Sequence, residues 1–449
     1  MGTTSLLDGP VFLRDLSREP IVIERAKGVY LYDESGKAYL DAAAGAAVAS
    51  VGHGREELAD ALREQAAKVA YAHPGAFITR PTIELAEKII ARAPEGFSRV
   101  FFTSGGSESV EAAIKLARQV HLAHGRAERV KVVSRRTSYH GATLGALAIT
   151  DQAERVVPFT ALLRVEPKIA PCYPYRCTWC FESRQCTLEC ADDLERMVEA
   201  EGAACIAAFI AEPIVGSSAP GAAADPAYWR RVREICDRHH IVFIADEVMS
   251  GNGRSGTWWA MQQTGVKPDL IATAKGIGAG YASLGALLVS DEMFDAFRAQ
   301  RSDFRHGHTF SGHPVAAAVG SRVIDIIERE GLLARVRVMG ERLITRLHEA
   351  FDDHPHVGDV RGRGLLAGVE FVADRASRNP FDPSLGLRSL VRQECLARGL
   401  YIYQGGGSAG ALGGDHVLLA PPFVIDEEQV DELVRTLRDA LDAAVARLR

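Results

Sequence analysis

The 449-residue sequence has no run of about eighteen apolar residues, so it predicts no membrane-spanning helix. Its start, MGTTSLLDGPVFLRDLSREP, lacks a basic stretch followed by an apolar core, so no secretory signal is legible. Leu6 stands where an N-myristoylation pattern needs Ser or Thr. Excess positive charge is lacking too. Lys and Arg total 52 against 58 Asp and Glu, a formal net charge of −6, which excludes a sequence-wide basic field and argues against nucleic acid as the main partner. Internal repeats and long low-complexity linkers are absent. A cytoplasmic location is the resulting expectation. Thiols there are kept reduced, so the eight cysteines are expected to be mostly free rather than a disulfide framework.

What is present is ordinary for a soluble globular protein: 47% hydrophobic and 24% charged residues. The length suggests about two or three structural units. Apolar runs alternate with helical periods through the middle of the chain. The strand candidates are RVFFTS (from Arg99), VKVVSR (from Val130), AAFIAEP (from Ala207), IVFIADEV (from Ile241), DLIATAK (from Asp269) and GALLVS (from Gly285). SESVEAAIKLARQVHLA and PAYWRRVREICDRHH carry helical spacing between them. This alternation predicts an α/β fold, a mainly parallel sheet covered by helices, with ligands at the carboxyl ends of the strands. The last part differs. IIEREGLLARVRVMGERLITRLHEAF predicts one long amphipathic helix, VGDVRGRGLLAGVEFV paired strands, and IDEEQVDELVRTLRDALDAAVARL a closing helix. A second, α+β unit is therefore expected from near residue 312. GVYLYDESGKAYLDAAAG predicts a small hairpin, and the glycine-rich run from Gly405 to Asp415 a mobile loop.

Three strand ends carry chemistry. RVFFTS runs through Gly105 and Gly106 to Ser107 at a helix start, where free N–H groups and the helix dipole favour an anion. Gly106 and Ser107 make a phosphate cup, or else Ser107 simply caps the helix. IVFIADEV ends on Asp246 and Glu247, two carboxylates that each need a partner when buried. DLIATAK ends on Lys275, which burial would turn into a nucleophilic amine and exposure would leave an ordinary surface lysine. A phosphate cup, an Asp and a strand-end Lys are together the parts that hold pyridoxal 5'-phosphate, and Tyr139 of SYHG offers an aromatic to stack on its ring.

With FFTSGGSESVEAAIKLAR, SYHGATLGAL, AFIAEPIVG, HGHTFSGHP, GDHVLLAPPFVI and the long stretch IADEVMSGNGRSGTWWAMQQTGVKPDLIATAKGIGAGYASLGALLVS, the sequence resembles the class III (ω-amino acid type) aminotransferases of pyridoxal-phosphate fold type I over essentially its whole length. The resemblance implies a large cofactor-binding domain over 56–311 and a small domain built from 1–55 and 312–449. It implies Lys275 as the Schiff-base lysine and Asp246 as partner of the pyridine nitrogen. Val248 would lie on the ring face opposite Tyr139, and Gly106 and Ser107 would hold the phosphate. Glu212 would sit near the phenolic oxygen. Thr309 would reach the phosphate of a neighbouring subunit, which makes the expected assembly an obligate homodimer. Substrates would be an amine or amino acid and a keto acid.

The sequence departs from the family where carboxylates are recognised. Leu418 replaces an arginine before APP, Ser217 replaces its resting-state glutamate, Ala411 stands where other members place an arginine before GDH, and Met249 replaces a frequent glutamine. These losses predict weak glutamate use, unless Arg135, Arg136 or Arg254 substitutes. A racemase, epimerase or aminomutase would use the same residues.

One stretch remains. PCYPYRCTWCFESRQCTLEC, 171–190, holds Cys172, Cys177, Cys180, Cys186 and Cys190. Four thiolates can close a zinc site. No second C-x2-C pair follows at a usual distance, so a packed, reduced loop without metal is expected, and in the resembling family this region is a variable insertion. A zinc-binding interaction protein on a degenerate scaffold is the competing class, and intact Lys275 and Asp246 argue against it.

Overall fold

A computed structural model describes residues 5–180, 186–300 and 303–448. All six strand candidates form strands, within two residues of the expected bounds: β1 (Phe97–Thr103), β2 (Lys131–Arg135), β4 (Ile206–Ala211), β5 (Val242–Asp246), β6 (Leu270–Thr273) and β7 (Gly285–Ser290). A two-residue strand, β3 (Lys168–Ile169), was too short to leave a pattern. They make one sheet in the order β1-β7-β6-β5-β4-β2-β3. Strands β4 to β7 are buried at every position, which is why they are continuous apolar runs rather than alternating ones.

β7 alone runs against its neighbours, β6 and β1. A parallel return needs a crossover of roughly a dozen residues, usually helical. Between Thr273 and Gly285 the chain forms only a 3-10 turn, Lys275–Ile277, so it comes back reversed.

A four-stranded antiparallel sheet follows in the C-terminal part, with Val357–Gly362 beside Ala367–Phe371 as expected, then Asp415–Leu419 and Tyr403–Gly406. The N-terminal hairpin, Tyr30–Asp33 with Ala38–Asp41, forms and takes up Leu400–Tyr401 as a parallel neighbour. Val29, Leu40 and Val51 share one core with Val336, Leu343, Leu433 and Leu437, so the two ends of the chain pack together.

Two expectations change. The long helix is two, Pro314–Arg329 and Leu332–Phe351, broken at Gly331, whose φ of 62° lies in the left-handed region that glycine enters freely. The glycine-rich run is a loop only in part: Gly405 and Gly406 pair with His416 and Asp415, and the stretch between them is a hairpin tip with one short 3-10 turn, Gly410–Leu412.

Candidate active site

β1 ends at Thr103, and after Ser104 and Gly105 the chain enters helix α1 (Gly106–Ala123). Gly105 takes the cap position with extended backbone, so Ser107 lies inside the first turn and does not cap. Its Oγ instead accepts from the Ala142 N–H at 3.0 Å, tying α1 to the segment after β2. A Cβ on Gly106 would stand 2.8 Å from Val248 Cγ1, so only glycine fits between this turn and the chain leaving β5. Ser104 to Ser107 line a cavity of about 390 Å³.

The ends of β4, β5 and β6 meet the same cavity. Asp246, buried, accepts at Oδ1 from the Val248 N–H at 3.1 Å and faces His140 Nδ1 from Oδ2 at 2.7 Å. Glu247 points away, with Ser250 Oγ at 2.6 Å and the Met261 N–H at 2.8 Å, and burial pushes its carboxyl up to about 7. Lys275 begins the turn after β6 with φ 51°, a conformation held against its own preference by the packed strands around it. Burial pulls its amine down to about 8, opposed by the charges of Asp246 and Glu212. Burial, and then the charge of Asp246, pushes Glu212 up to about 8. Glu212 Oε2 has no partner among the described residues, and neither has His140 Nε2.

Seven residues singled out in the sequence thus line one cavity: Gly106, Ser107, Tyr139, Glu212, Asp246, Val248 and Lys275. Thr309 is not among its walls. It is exposed, and its carbonyl accepts from Tyr71 Oη at 3.0 Å.

Sequence reasoning overlooked two residues. His140 follows Tyr139 directly in SYHG, and a single histidine beside an aromatic carries no distinct signal. Arg155 lies with its guanidinium carbon 4.8 Å from the centre of the Tyr139 ring, and nothing in the sequence marks it. The arginines considered as substitutes are elsewhere. Arg135 donates to the Glu212 carbonyl and lies over Trp229. Arg136 is exposed, 4.0 Å from Asp193. Arg254 donates to the carbonyls of Leu365 and Pro421. Leu418 is buried in an apolar cluster with Ile214 and Ala260, Met249 packs on that cluster, and Ser217 takes a hydrogen bond from Gln152 at 2.9 Å. The side chain of Ala411 lies outside the described residues.

In the cysteine-rich stretch, residues 181–185 lie outside the described residues. Cys172, Cys177, Cys180 and Cys190 are buried free thiols and Cys186 is exposed. Among the described residues no group of three or more His, Cys, Asp or Glu is set to hold a metal. The stretch is anchored by Tyr173 and Arg176, which both bond the buried Glu370.

Residues 14–441 match the aminotransferase class-III family model. The chain belongs to the class-III aminotransferases. It is 35% identical to the putrescine–pyruvate aminotransferase of Pseudomonas aeruginosa, over 95% of this chain and 91% of that one. It is likewise 35% identical to the hypotaurine/taurine–pyruvate aminotransferase of Paracoccus denitrificans, over 96% and 92%. The solved ω-transaminase of Pseudomonas jessenii in complex with PMP superposes with a TM-score of 0.90 at 32% identity, covering 99% of this chain and 98% of that one. This class-III aminotransferase is therefore an α/β enzyme of fold type I, and its substrates are amines and keto acids. Among the described residues no helix is long and apolar enough to cross a membrane.

Proposed function

We propose that this aminotransferase holds pyridoxal phosphate in the cavity between α1 and the ends of β4, β5 and β6, with Lys275 and Asp246 as its catalytic residues. The observation that carries this is a lysine of lowered pKa in the same cavity as a carboxylate fixed by His140. The residues fit the group. Gly106 leaves room that a Cβ would fill, the first turn of α1 offers N–H groups to a phosphate, and the unpartnered Glu212 Oε2 awaits a polar neighbour. When bound, the cofactor supplies an aldehyde that condenses with amines and a ring that accepts the electron pair released at Cα.

Lys275 Nζ would bind that aldehyde carbon and, once displaced by the substrate amine, carry the proton from Cα. An amine near pKa 8 is suited to both jobs near neutral pH. Asp246 would stand against the ring nitrogen and keep it protonated. Val248 and Tyr139 would hold the ring from its two faces.

The reading extends to a cytoplasmic homodimer in which Thr309 completes the partner's phosphate site. Exposed Tyr71, Phe77, Ile78 and Phe310 around it give an apolar surface for such a contact. It also retains the domain division 1–55 with 312–449 against 56–311. Pyruvate, the acceptor that both named relatives carry in their names, is the expected keto acid.

The test is a half-reaction scan. Holoenzyme mixed with single amines and amino acids is followed by the loss of cofactor absorbance near the visible edge, with the carbonyl product assayed, an aldehyde or ketone from an amine and a keto acid from an α-amino acid. Amine-dependent loss that pyruvate reverses is expected. Failure of every donor in a protein that has taken up cofactor would overturn the reading.

A further inference from the structure

Ser217 lines two cavities. One is that of Lys275; the other, about 540 Å³, is walled by Gln152, Arg155, Arg388, Tyr403 and the hairpin from Gly405 to Asp415. Two guanidiniums face this second cavity, and they differ. Arg388 is neutralised by Glu154 and lies 3.9 Å from Asp415. Arg155 has no carboxylate oxygen within 4.0 Å among the described residues, although it is only part-exposed. Neutral groups hold it instead: its Nε donates to Gln152 Oε1 at 2.8 Å, its Nη2 to Tyr403 Oη at 3.3 Å, and its plane lies over Tyr139. A guanidinium oriented on three sides, with hydrogens to spare and no counter-ion, is prepared for an anion from outside. Gln152 also bonds Ser217 Oγ, so one side chain ties Arg155 to the residue that the two cavities share. The charge of Arg155 is felt at Lys275, where it adds to the lowering by burial, so the two lie within electrostatic reach.

We propose that Arg155 is the specificity-determining residue that binds the carboxylate of the substrate, taking the place of the arginines absent at positions 411 and 418. A single free guanidinium suits one carboxylate, so the substrate class is monocarboxylic amino acids and keto acids. Dicarboxylates would leave a second charge unpaired beside Met249, since Leu418 is buried behind the cavity wall and offers no charge. This rests on the functional reading above and adds the substrate class to it.

The test uses holoenzyme and the variants Arg155→Gln and Arg155→Lys. Propionate is titrated calorimetrically, and half-reactions compare 4-aminobutyrate with propylamine. Arg155→Gln is expected to weaken propionate at least about tenfold and to lower the kcat/KM ratio of the acid over the amine by a similar factor, with partial recovery in Arg155→Lys. An unchanged propionate Kd, no propionate binding by the wild type, or an equal fall for both donors would overturn the proposal. Propionate binding that depends on Arg155, in an enzyme that moves no amino group from any donor, would sink the functional reading and leave standing only Arg155 as a carboxylate site.

Discussion

His140 holds Asp246 from the side opposite the Val248 N–H, each contact engaging a different carboxylate oxygen, with both side chains buried. The carboxylate therefore cannot swing, and its charge points where the chain directs it. Asp246→Asn keeps the shape and removes the charge. The expected loss in kcat is about 10³-fold or more, because on the proposed reading the ring would lose its proton-holding partner. His140→Ala leaves the charge but frees its orientation, and about 10–100-fold is expected, as for other residues that orient a functional group from behind. Cofactor affinity should fall in both, and His140→Ala should also lower the melting temperature, because buried Asp246 loses a partner. A kcat within tenfold for Asp246→Asn would count against the assignment.

Lys275 should impose a pH dependence on cofactor uptake by apoprotein. The reacting species is the neutral amine. With its pKa lowered from 10.5 to about 8, roughly one amine in ten is neutral at pH 7, against about one in three thousand for an ordinary lysine. The uptake rate should rise about tenfold per pH unit below 8 and level off above it. Stopped-flow absorbance measures this. In Asp246→Asn the plateau should begin at lower pH, because a charge that raises the lysine pKa is gone.

Lys275→Ala should lower turnover by about 10³-fold or more, since on the proposed reading it removes both the nucleophile and the proton carrier. The fold should persist by circular dichroism. Wild-type turnover in this variant would refute its role.

Gly106→Ala tests the cradle. The added Cβ, 2.8 Å from Val248 Cγ1, must displace a side chain that walls the cavity. A loss of about 1–3 kcal/mol in stability is expected from overpacking, with cofactor affinity weakened as well. Calorimetry and cofactor titration read the two effects separately.

Glutamate should be a poor donor beside alanine or ω-amino acids, because Leu418 is sealed in an apolar cluster and offers a second carboxylate nothing. A donor panel at fixed pyruvate and at fixed 2-oxoglutarate decides it. Glutamate with 2-oxoglutarate as the best pair by kcat/KM would contradict the prediction.

The centre of the sheet was legible because β4 to β7 are buried on both faces, which turns each into a short apolar run with a polar residue at or just past its end. Asp246 and Lys275 stood out for the same reason. β3 was invisible at two residues, and Gly331 gave no more than an ordinary helical glycine would. The glycine-rich run suggested a loop, yet glycines also sit in hairpins where neighbours come close, as His416 does to Gly405. Arg155 escaped because its role depends on a ring sixteen positions away in sequence and on Tyr403, 248 away. The substitutes proposed at strand ends failed because Arg135, Arg136 and Arg254 line neither of the two cavities.

The reversed strand β7 has a consequence for the order in which the protein is made. β1 lies at the sheet edge and pairs only with β7. While the ribosome has yet to deliver Gly285–Ser290, Phe97–Thr103 has no neighbour in the sheet, and the turn that carries Gly106 and Ser107 hangs from an unpaired strand. The side of the cavity walled by Ser104 to Ser107 is thus completed by a long-range closure late in synthesis. Nascent chains halted before residue 285 should expose an apolar strand edge and depend on chaperones, whatever the state of the strands already in place.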